Sequence, residues 1–580
     1  MNIYNDFKNQ IFDIFLKVIE EKNSNIDNIH NLKEKFTVEI PREENYGDIS
    51  TNISLVLSKL SGYKPKELAI LIKSYLERLE NVKSVSIEGP GFININLDNS
   101  FWHKQILKIL KLKSKFGESQ LFLNNNINIE FVSANPTGPL HVGHVRGAVI
   151  GDVLSNVLKM VGYKVTKEYY VNDAGNQIDI LANSVFIRYE EIILKQKAVI
   201  PEGYYPGEYL IPVAKSLYDL HNDSLLNCDR FKALEIIKKF SIDFILNEIK
   251  IDLGRLNIEM DKYSSEKKLV QNLSVDKTIQ ELKNKGLIYS GILPSPKSKV
   301  EDWEPKEQTL FKSKIFGDDE DRTIIKSDGT LTYFASDIAY HRDKLIRTKG
   351  KLINIWGADH GGYVKRMLAA VNAIADKEGQ LEIKLCQMVN LIKNNQPLKM
   401  SKRDGNFVTL KEIIEEVGGD AIRFIMLTRK NDQVLDFDFN KVTESSKDNP
   451  VFYVKYAHAR ICSVLKKSKE LGFLKEKNNI DLSYLNDEVH LKLIKSLTYW
   501  PKVIEASAIH KEPHRVAFYL IELSSNFHSL WSLGRENNKF RFFQKENEEC
   551  TYAYLSLIKT LKIVISSGLN ILSVSAPEEM

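Results

Sequence analysis

The spacing of apolar residues divides this chain into stretches of different period. From Ile3 to Glu21 apolar side chains recur three and four apart, with Asp6, Lys8, Asp13 and Lys17 among them. That predicts an amphipathic helix and not a signal peptide. A polar loop, EIPREENYGDIS, follows, then a helix from about Ile49. Pro65 suits the first turn of another, over KPKELAILIKSYLE. VKSVSIEGPGFININL alternates apolar and polar residues around a Gly-Pro-Gly turn, as a hairpin does. Its glycines supply two of the three in a dinucleotide fingerprint and open no helix, so that reading is discarded. Residues 1–115 are thus predicted to form a small α/β domain.

From about residue 120 the period changes. NINIEFVS is a short β-rich run and NPTGP a loop. Val142 to Val161 has helical spacing, closed by Gly162. YKVTKEYYVND is again strand-like. This βαβ unit predicts a parallel sheet. Residues of about 178–300 read as a mostly helical, lysine-rich insertion. Strand-like runs resume at DRTIIKSDGTLTYFASD and KLINIWGADHGG. The stretch 120–445 is predicted to be a doubly wound α/β domain, whose ligands bind at the carboxyl ends of the strands. Residues 446–580 have helical spacing throughout, with Pro450 at a first-turn position, and predict a bundle of four or more helices.

Composition adds little. With 580 residues, 43% hydrophobic and 27% charged, the chain is long enough for several cores. The four cysteines, Cys228, Cys386, Cys462 and Cys550, are too scattered for a zinc site or a disulfide framework. No apolar run reaches membrane-spanning length. A net charge of +5 permits an anionic partner without arguing for one.

Two stretches carry chemistry. In NPTGPLHVGHVRG, His141 and His144 flank Gly143 where a strand and loop run into a helix. No third ligand or HExxH pattern accompanies them, which disfavours a metal. A helix N-terminus favours an anion, and a glycine there lets a base or phosphate approach the backbone. Taken alone, a packed or surface pair of histidines fits the stretch equally well. In NQPLKMSKRDGNFVTL, Lys399, Lys402 and Arg403 surround a serine before an Asp-Gly turn. Such a basic loop suits a triphosphate, although an isolated charge run is more often a solvated surface.

In this order, HVGH and KMSKR resemble the two signatures of class I aminoacyl-tRNA synthetases. The flanks EFVSANPTGPLHVGH, YYVNDAGNQI, TYFASDIAYHRDK, WGADHGGYVKR, NPVFYVKYAHAR and VSAPEEM resemble the arginyl-tRNA synthetase family nearly end to end, least in about 195–300. The resemblance implies a Rossmann-type catalytic domain, an N-terminal added tRNA-binding domain and a C-terminal anticodon-binding bundle. It implies formation of arginyl-adenylate from L-arginine and ATP, then transfer to the terminal ribose of tRNA(Arg). Magnesium arrives with ATP, and no protein-bound metal is expected. The expected enzyme is a cytoplasmic monomer without membrane attachment.

Carried over residue by residue, His141, His144, Lys399 and Lys402 contact phosphates, with Gly143 beneath the adenine. Ala134, Pro136, Asp359, Met400 and Ser401 complete the ATP site, with Asp359 a candidate for the ribose. Glu130, Ser133 and Asn135 surround the backbone groups of the arginine. Asp337 accepts from the guanidinium and Tyr333 lines its face; an always-charged planar fork requires acceptors of this kind. His360 stands where relatives carry glutamine. Many relatives also lack the second lysine of the KMSK loop and carry a lysine three residues before their HVGH-type motif. Here that position is Gly138 and Lys402 is present, which assigns the charge to Lys402. In the bundle, Tyr453, Tyr456, His458, Arg460, Phe527, His528 and Trp531 are either core or base-stacking residues.

Other readings are a synthetase for cysteine or glutamate, a non-catalytic tRNA-binding paralogue, or a smaller nucleotidyltransferase. The scattered cysteines argue against the cysteine enzyme, the intact signatures against the paralogue, and length against the last.

Overall fold

The computed structural model describes residues 2–21, 31–41, 43–272, 274–294, 306–375, 377–398, 408–473 and 479–580. The opening helix α1 (Ile3–Glu20) is capped by the Asn2 side chain, which accepts from the Tyr4 N–H. Strands β1 (Val38–Glu39) and β2 (Ile49–Thr51) precede helices α2 (Ile53–Ser61) and α3 (Pro65–Leu76). Strands β3 (Val82–Glu88) and β4 (Phe92–Leu97) form the expected hairpin, and the four strands make one antiparallel sheet in the order β1-β2-β4-β3. The helix expected from Ile49 starts only at Ile53. Ile49 to Thr51 pair with Ile95 to Ile93 of β4 instead, so a neighbouring edge takes these residues into the sheet. Helix α4 (Asn99–Leu112) leads out of this unit.

Strand β5 (Asn126–Glu130), helix α5 (Val142–Met160) and strand β6 (Lys164–Val171) are the predicted βαβ unit. Gly162 closes α5 with φ +97°. Helices α6 (Asn176–Leu194), α7 (Leu210–His221) and α8 (Arg230–Arg255) follow. Strand β7 (Lys262–Ser265) then pairs in parallel with β6. It lies within the stretch read as helical: its sequence, KYSS, has no apolar alternation, and only pairing across the sheet makes it a strand. Helices α9 (Glu266–Gln271) and α10 (Ser274–Asn284) come next.

Strands β8 (Ile288–Gly291), β9 (Gln308–Phe311) and β10 (Arg322–Ile325) make a separate antiparallel sheet. The run ending in TYFASD therefore does not extend the central sheet, and its second half opens helix α11 (Tyr333–Thr348). Strand β11 (Lys351–Gly357), helix α12 (Val364–Ala375) and strand β12 (Leu381–Cys386) complete the central sheet. Its five strands are all parallel, in the order β12-β11-β5-β6-β7. Chain order reverses between β5 and β11, so the ligand crevice of this doubly wound sheet opens at their carboxyl ends.

Strands β13 (Val389–Lys393), β14 (Gln396–Pro397) and β15 (Leu435–Asp438) form a third small sheet. Helices α13 (Leu410–Val417) and α14 (Gly419–Ile425) lie between its last two strands in sequence, and the short α15 (Phe439–Thr443) follows it. The chain ends in α16 (Pro450–Glu470), α17 (Glu488–Thr498), α18 (Trp500–His510), α19 (His514–Glu536) and α20 (Glu548–Ile571), with α16, α19 and α20 mutually packed. No helix among the described residues is long and apolar enough to cross a membrane.

Helix α5 is apolar nearly all round because it is covered nearly all round. It packs on β5, β6 and β11, and also on α18 and α20 of the C-terminal bundle. Two charged side chains break its apolar surface, and both are almost completely buried. Asp152 receives the ammonium of Lys167 on β6 (3.1 Å) and the guanidinium of Arg423 on α14. Arg423 also donates to the carbonyls of Leu572, just past α20, and Leu256, just past α8. One buried ion cluster thereby joins the central sheet, the helical segment after β6 and the segment just past α20. Removing one partner leaves buried charge uncompensated. Asp152→Asn is expected to cost about 3–5 kcal/mol, seen as a lowered midpoint in denaturant unfolding; an unchanged midpoint would show that the cluster does not hold these elements together.

Candidate active site

The crevice at the switch point is built on the end of β5. Glu130, its last residue, is nearly buried. The chain then turns sharply, with Val132 at φ +68° and Ser133 at φ +42°. Left-handed backbone at a β-branched residue costs of order 1–3 kcal/mol and persists only where surrounding contacts enforce it. Those contacts are present. The Ser133 hydroxyl donates to Glu130 Oε1 (3.1 Å) and accepts from the Tyr170 N–H (3.0 Å). The Ala134 carbonyl accepts from the Tyr169 hydroxyl (2.7 Å). Asn135 is exposed and donates to Gln177 (2.9 Å), and Pro136 is buried. The Thr137 carbonyl accepts from Tyr209, whose ring lies against Gly138: a Cβ there would sit 3.3 Å from it.

The two histidines form a reciprocal cap at the start of α5. His141 Nδ1 accepts from the Gly143 N–H (3.1 Å), and His144 Nδ1 accepts from the His141 N–H (3.3 Å). Imidazoles here do the work that Ser and Glu do in an ordinary capping box. With both Nδ1 atoms accepting, each neutral ring carries its proton on Nε2. The rings lie 4.0 Å apart. A Cβ on Gly143 would come within 2.9 Å of His141 Cε1, so only glycine permits this fold-back.

Lys399, Met400, Ser401 and Lys402 lie outside the described residues, but the chain that follows them is anchored at the histidines. The Leu410 N–H donates to the Leu140 carbonyl (2.8 Å), and Thr409 bridges His141 in antiparallel register. Arg146, one turn into α5, donates to the carbonyls of Gln387 (3.1 Å), Lys430 (2.7 Å) and Gln433 (2.5 Å), around the start of β13 and the approach to β15. The start of α5 and both flanks of the basic stretch are therefore one framework.

Beyond Glu130 the crevice is acidic. Asp337, on the first turns of α11, accepts from the Tyr363 hydroxyl (2.7 Å). Burial pushes its carboxyl up to about 7; the Tyr363 bond opposes this and the charge of Glu130 adds to it. Glu266, the first residue of α9, is also pushed up to about 7, by burial first and then by Asp337 and Asp173. The rings of Tyr170 and Tyr340, 4.3 Å apart and tilted by 33°, stand nearby. Tyr333 is exposed at the rim, over Gly175. Asp359 and His360 are exposed on the turn after β11, their side chains 3.7 Å apart. Among the described residues, no group of three or more His, Cys, Asp or Glu is placed to hold a metal ion.

Of the residues singled out from sequence, the fold gathers Glu130, Ser133 and Asp337 in one depression, with Tyr333, Asn135, Asp359 and His360 around its edge. Sequence reasoning missed Glu266, hidden in the stretch taken for an insertion, and Tyr363, although WGADHGGYVKR had drawn attention. It also missed Arg146 and Lys344. Lys344 is wholly enclosed and donates to Glu130 Oε2 (2.7 Å), so the carboxylate expected to meet the α-amino group already has a partner. In the bundle, His458 and Phe527 are core, whereas the half-buried Arg460 guanidinium stacks on Tyr456 (4.1 Å) and Trp531 (4.9 Å).

Comparison with known proteins agrees with this geometry. A family model described as the class I (R) tRNA synthetase catalytic domain matches residues 105–204 and 224–464. An arginyl tRNA synthetase N terminal domain matches 9–97, and a DALR anticodon binding domain matches 454–580. The arginine--tRNA ligase of Roseobacter denitrificans is 48% identical, covering 94% of both chains. That of Parvibaculum lavamentivorans is 46% identical over all of both. Among solved structures, a putative arginyl-tRNA synthetase from Campylobacter jejuni is 33% identical with a TM-score of 0.72, covering 83% of this chain and all of that one. The Thermus thermophilus arginyl-tRNA synthetase, at 18% identity, shares the fold over 99% of this chain with a TM-score of 0.71.

The raised carboxyls have a cost when the crevice is empty. Each binds its proton more tightly folded than unfolded, so it favours folding at low pH, and that contribution is lost as the pH rises from about 4 through about 7. Asp337→Asn is expected to raise the melting midpoint above the parent's at pH 8, and by less at pH 5. Equal shifts at both pH values would mean that ionisation of Asp337 is not the source of the strain.

Proposed function

The chain belongs to the arginyl-tRNA synthetase family and is an arginine–tRNA ligase, and from that premise we propose how its residues divide the work. The reaction activates L-arginine with ATP to arginyl-adenylate and pyrophosphate, then transfers arginine to the terminal ribose of tRNA(Arg). The observation that carries the assignment of residues is the pair of carboxyls, Asp337 and Glu266, each raised by burial and Glu266 further by its neighbour. A guanidinium between them, always charged and rich in donors, relieves burial and repulsion together. Tyr333 covers its face from the rim. Glu130, Ser133 and Asn135 take the α-ammonium end, with His360 at the margin.

The adenosine lies over Gly143, with Ala134 and Pro136 beside it and Asp359 on the ribose. The arginine carboxylate attacks the α-phosphorus in line, and pyrophosphate leaves. No side chain becomes covalently attached, so rate comes from positioning and from charge placed where charge develops. The Nε2–H groups of His141 and His144 donate to phosphate oxygens. Lys399 and Lys402, next to Met400 and Ser401 in sequence, supply the cations, and magnesium arrives with ATP. With the Tyr209 ring against Gly138, the charge from the upstream position is absent and Lys402 carries it. The 2′-hydroxyl of the tRNA then attacks the adenylate's carbonyl carbon, forming the ester as the bond to phosphate breaks and AMP leaves.

Residues 1–115 serve as the added tRNA-binding domain, 120–445 as the catalytic domain with its insertion at about 178–300, and 446–580 as the anticodon-binding domain. The stacked guanidinium of Arg460 suits an unpaired base. We place the enzyme in the cytoplasm as a monomer. Its cysteines support the location: Cys386, Cys462 and Cys550 are buried, Cys228 is exposed, and all four are free thiols.

Pyrophosphate exchange with each amino acid in the presence of tRNA is expected to respond to arginine alone. Because the guanidinium needs both carboxylates ionised, the KM for arginine is expected to fall as pH rises from 6 and to level off above about 7. Glu266→Gln is expected to raise that KM by about 30- to 100-fold, the worth of a charge-assisted bond, with the KM for ATP nearly unchanged. A loss shared equally by ATP would place Glu266 outside the arginine pocket. Lys402→Ala is expected to lower the adenylation rate far more than arginine binding, and a loss confined to binding would remove Lys402 from the phosphates.

A further inference from the structure

Behind the arginine pocket lies a chain of side chains that touches no substrate. Lys344 is fully enclosed on α11. Its ammonium donates to Glu130 Oε2 and to Asn354 Oδ1, both at 2.7 Å, and faces the Tyr340 ring at 5.1 Å. The Asn354 amide nitrogen lies 2.8 Å from His341 Nε2, and His341 Nδ1 lies 2.8 Å from the main-chain carbonyl of Asp337. Burial, with the charge of Lys344 next, pushes His341 down to about 4, so its ring is neutral.

Every proton in this chain then has one available direction. Lys344 has only donors, so Asn354 presents its oxygen to it. The Asn354 amide must then donate to His341 Nε2, which leaves Nδ1–H to donate to the Asp337 carbonyl. The relay runs from the carboxylate of Glu130 to the backbone of Asp337, the residues at the two ends of the bound amino acid.

We propose that Lys344 is a positioning residue for the α-ammonium of arginine: it orients the Glu130 carboxylate that receives it, and through Asn354 and His341 sets that carboxylate at a fixed distance from Asp337. The proposal rests on the reading that Glu130 faces the α-ammonium group. Charge balance supports it. Glu130, Asp337 and Glu266 bring three negative charges when ionised and Lys344 one positive, and the ammonium and guanidinium of one arginine offset the other two, its own carboxylate lying at the reacting end. The neighbouring Glu168 of β6 is neutralised by Arg347 (2.8 Å) and accepts from Ser264. Asp173 accepts from Ser265 and the Lys267 N–H, Arg366 lies 4.8 Å over the Tyr363 ring, and the Tyr170 ring lies tilted against Tyr340. A carboxylate buried as deeply as Glu130 is costly unless a cation and hydrogen bonds stand beside it, and Lys344 and Ser133 supply them.

The test compares two ligands by calorimetric titration of the full-length protein: L-arginine and 5-guanidinopentanoate, which lacks the α-amino group. Lys344→Met is expected to weaken arginine by about 10- to 100-fold and to leave the analogue within about twofold. Glu130→Gln is expected to show the same selectivity. The double variant K344M/E130Q, which leaves no unpaired buried charge, should bind arginine as E130Q does, because Lys344 acts only through Glu130. If K344M does not fold, this comparison still decides. Equal weakening of both ligands by K344M, or weaker arginine binding by the double variant than by E130Q, overturns the positioning role. Failure of E130Q to distinguish the ligands overturns the reading of Glu130, and the role of Lys344 with it.

Discussion

Helix α5 carries the two histidines at one end and a buried carboxylate in its middle, and the molecule is organised around keeping it still. Its apolar surface is matched by the sheet beneath and the bundle above, but apolar packing alone is indifferent to small slides and rotations. The polar anchors are not. Arg146 is fitted to main-chain carbonyls near β13 and β15, and Asp152 to a guanidinium and an ammonium from other elements. A buried hydrogen-bonded ion has few acceptable positions, because each displacement leaves a donor or acceptor unsatisfied. The register of the helix, and with it the placing of His141 and His144, follows from those few contacts.

The crevice obeys a different rule. Where α5 is anchored by satisfied charge, the pocket beyond Glu130 holds acids that the empty protein does not fully compensate. Burial and mutual proximity make Asp337 and Glu266 poor carboxylates until a cation arrives. In the proposed pocket a ligand with a guanidinium pairs with these acids, whereas an amino acid with a neutral side chain leaves buried acid unpaired or protonated. A site of that kind rejects wrong substrates through the interactions they fail to make.

The sequence reveals some of these features more readily than others. Helix α5 and the β5–β6 frame are visible because local periodicity and the closing glycine agree with the tertiary outcome. His141 and His144 stand out because they interrupt that pattern at a helix start. Strand β7 has no pattern of its own and is a strand only by pairing with β6. Ile49 to Thr51 show the same in the first domain, drawn into a sheet by β4. Glu266 follows β7 into the pocket, so missing the strand hides the acid. Lys344 sits on an ordinary-looking helix among other charged residues, and only its enclosure beside Glu130, 214 positions earlier, distinguishes it. Partners so distant in sequence are legible only once the sheet order is known.

The contact between Arg423 and the Leu572 carbonyl also bears on how the molecule is made. During synthesis the sheet, the histidines and Arg423 itself all emerge well before residue 572. Until then the guanidinium lacks an acceptor that only the end of the chain supplies, and the upper side of α5 lacks the bundle that covers it. A nascent chain therefore passes through a stage in which its catalytic core is present but unsealed, with apolar helix surface exposed in the manner of multidomain folding intermediates. A chain that stops before residue 572 lacks the carbonyl that Arg423 meets above the central sheet.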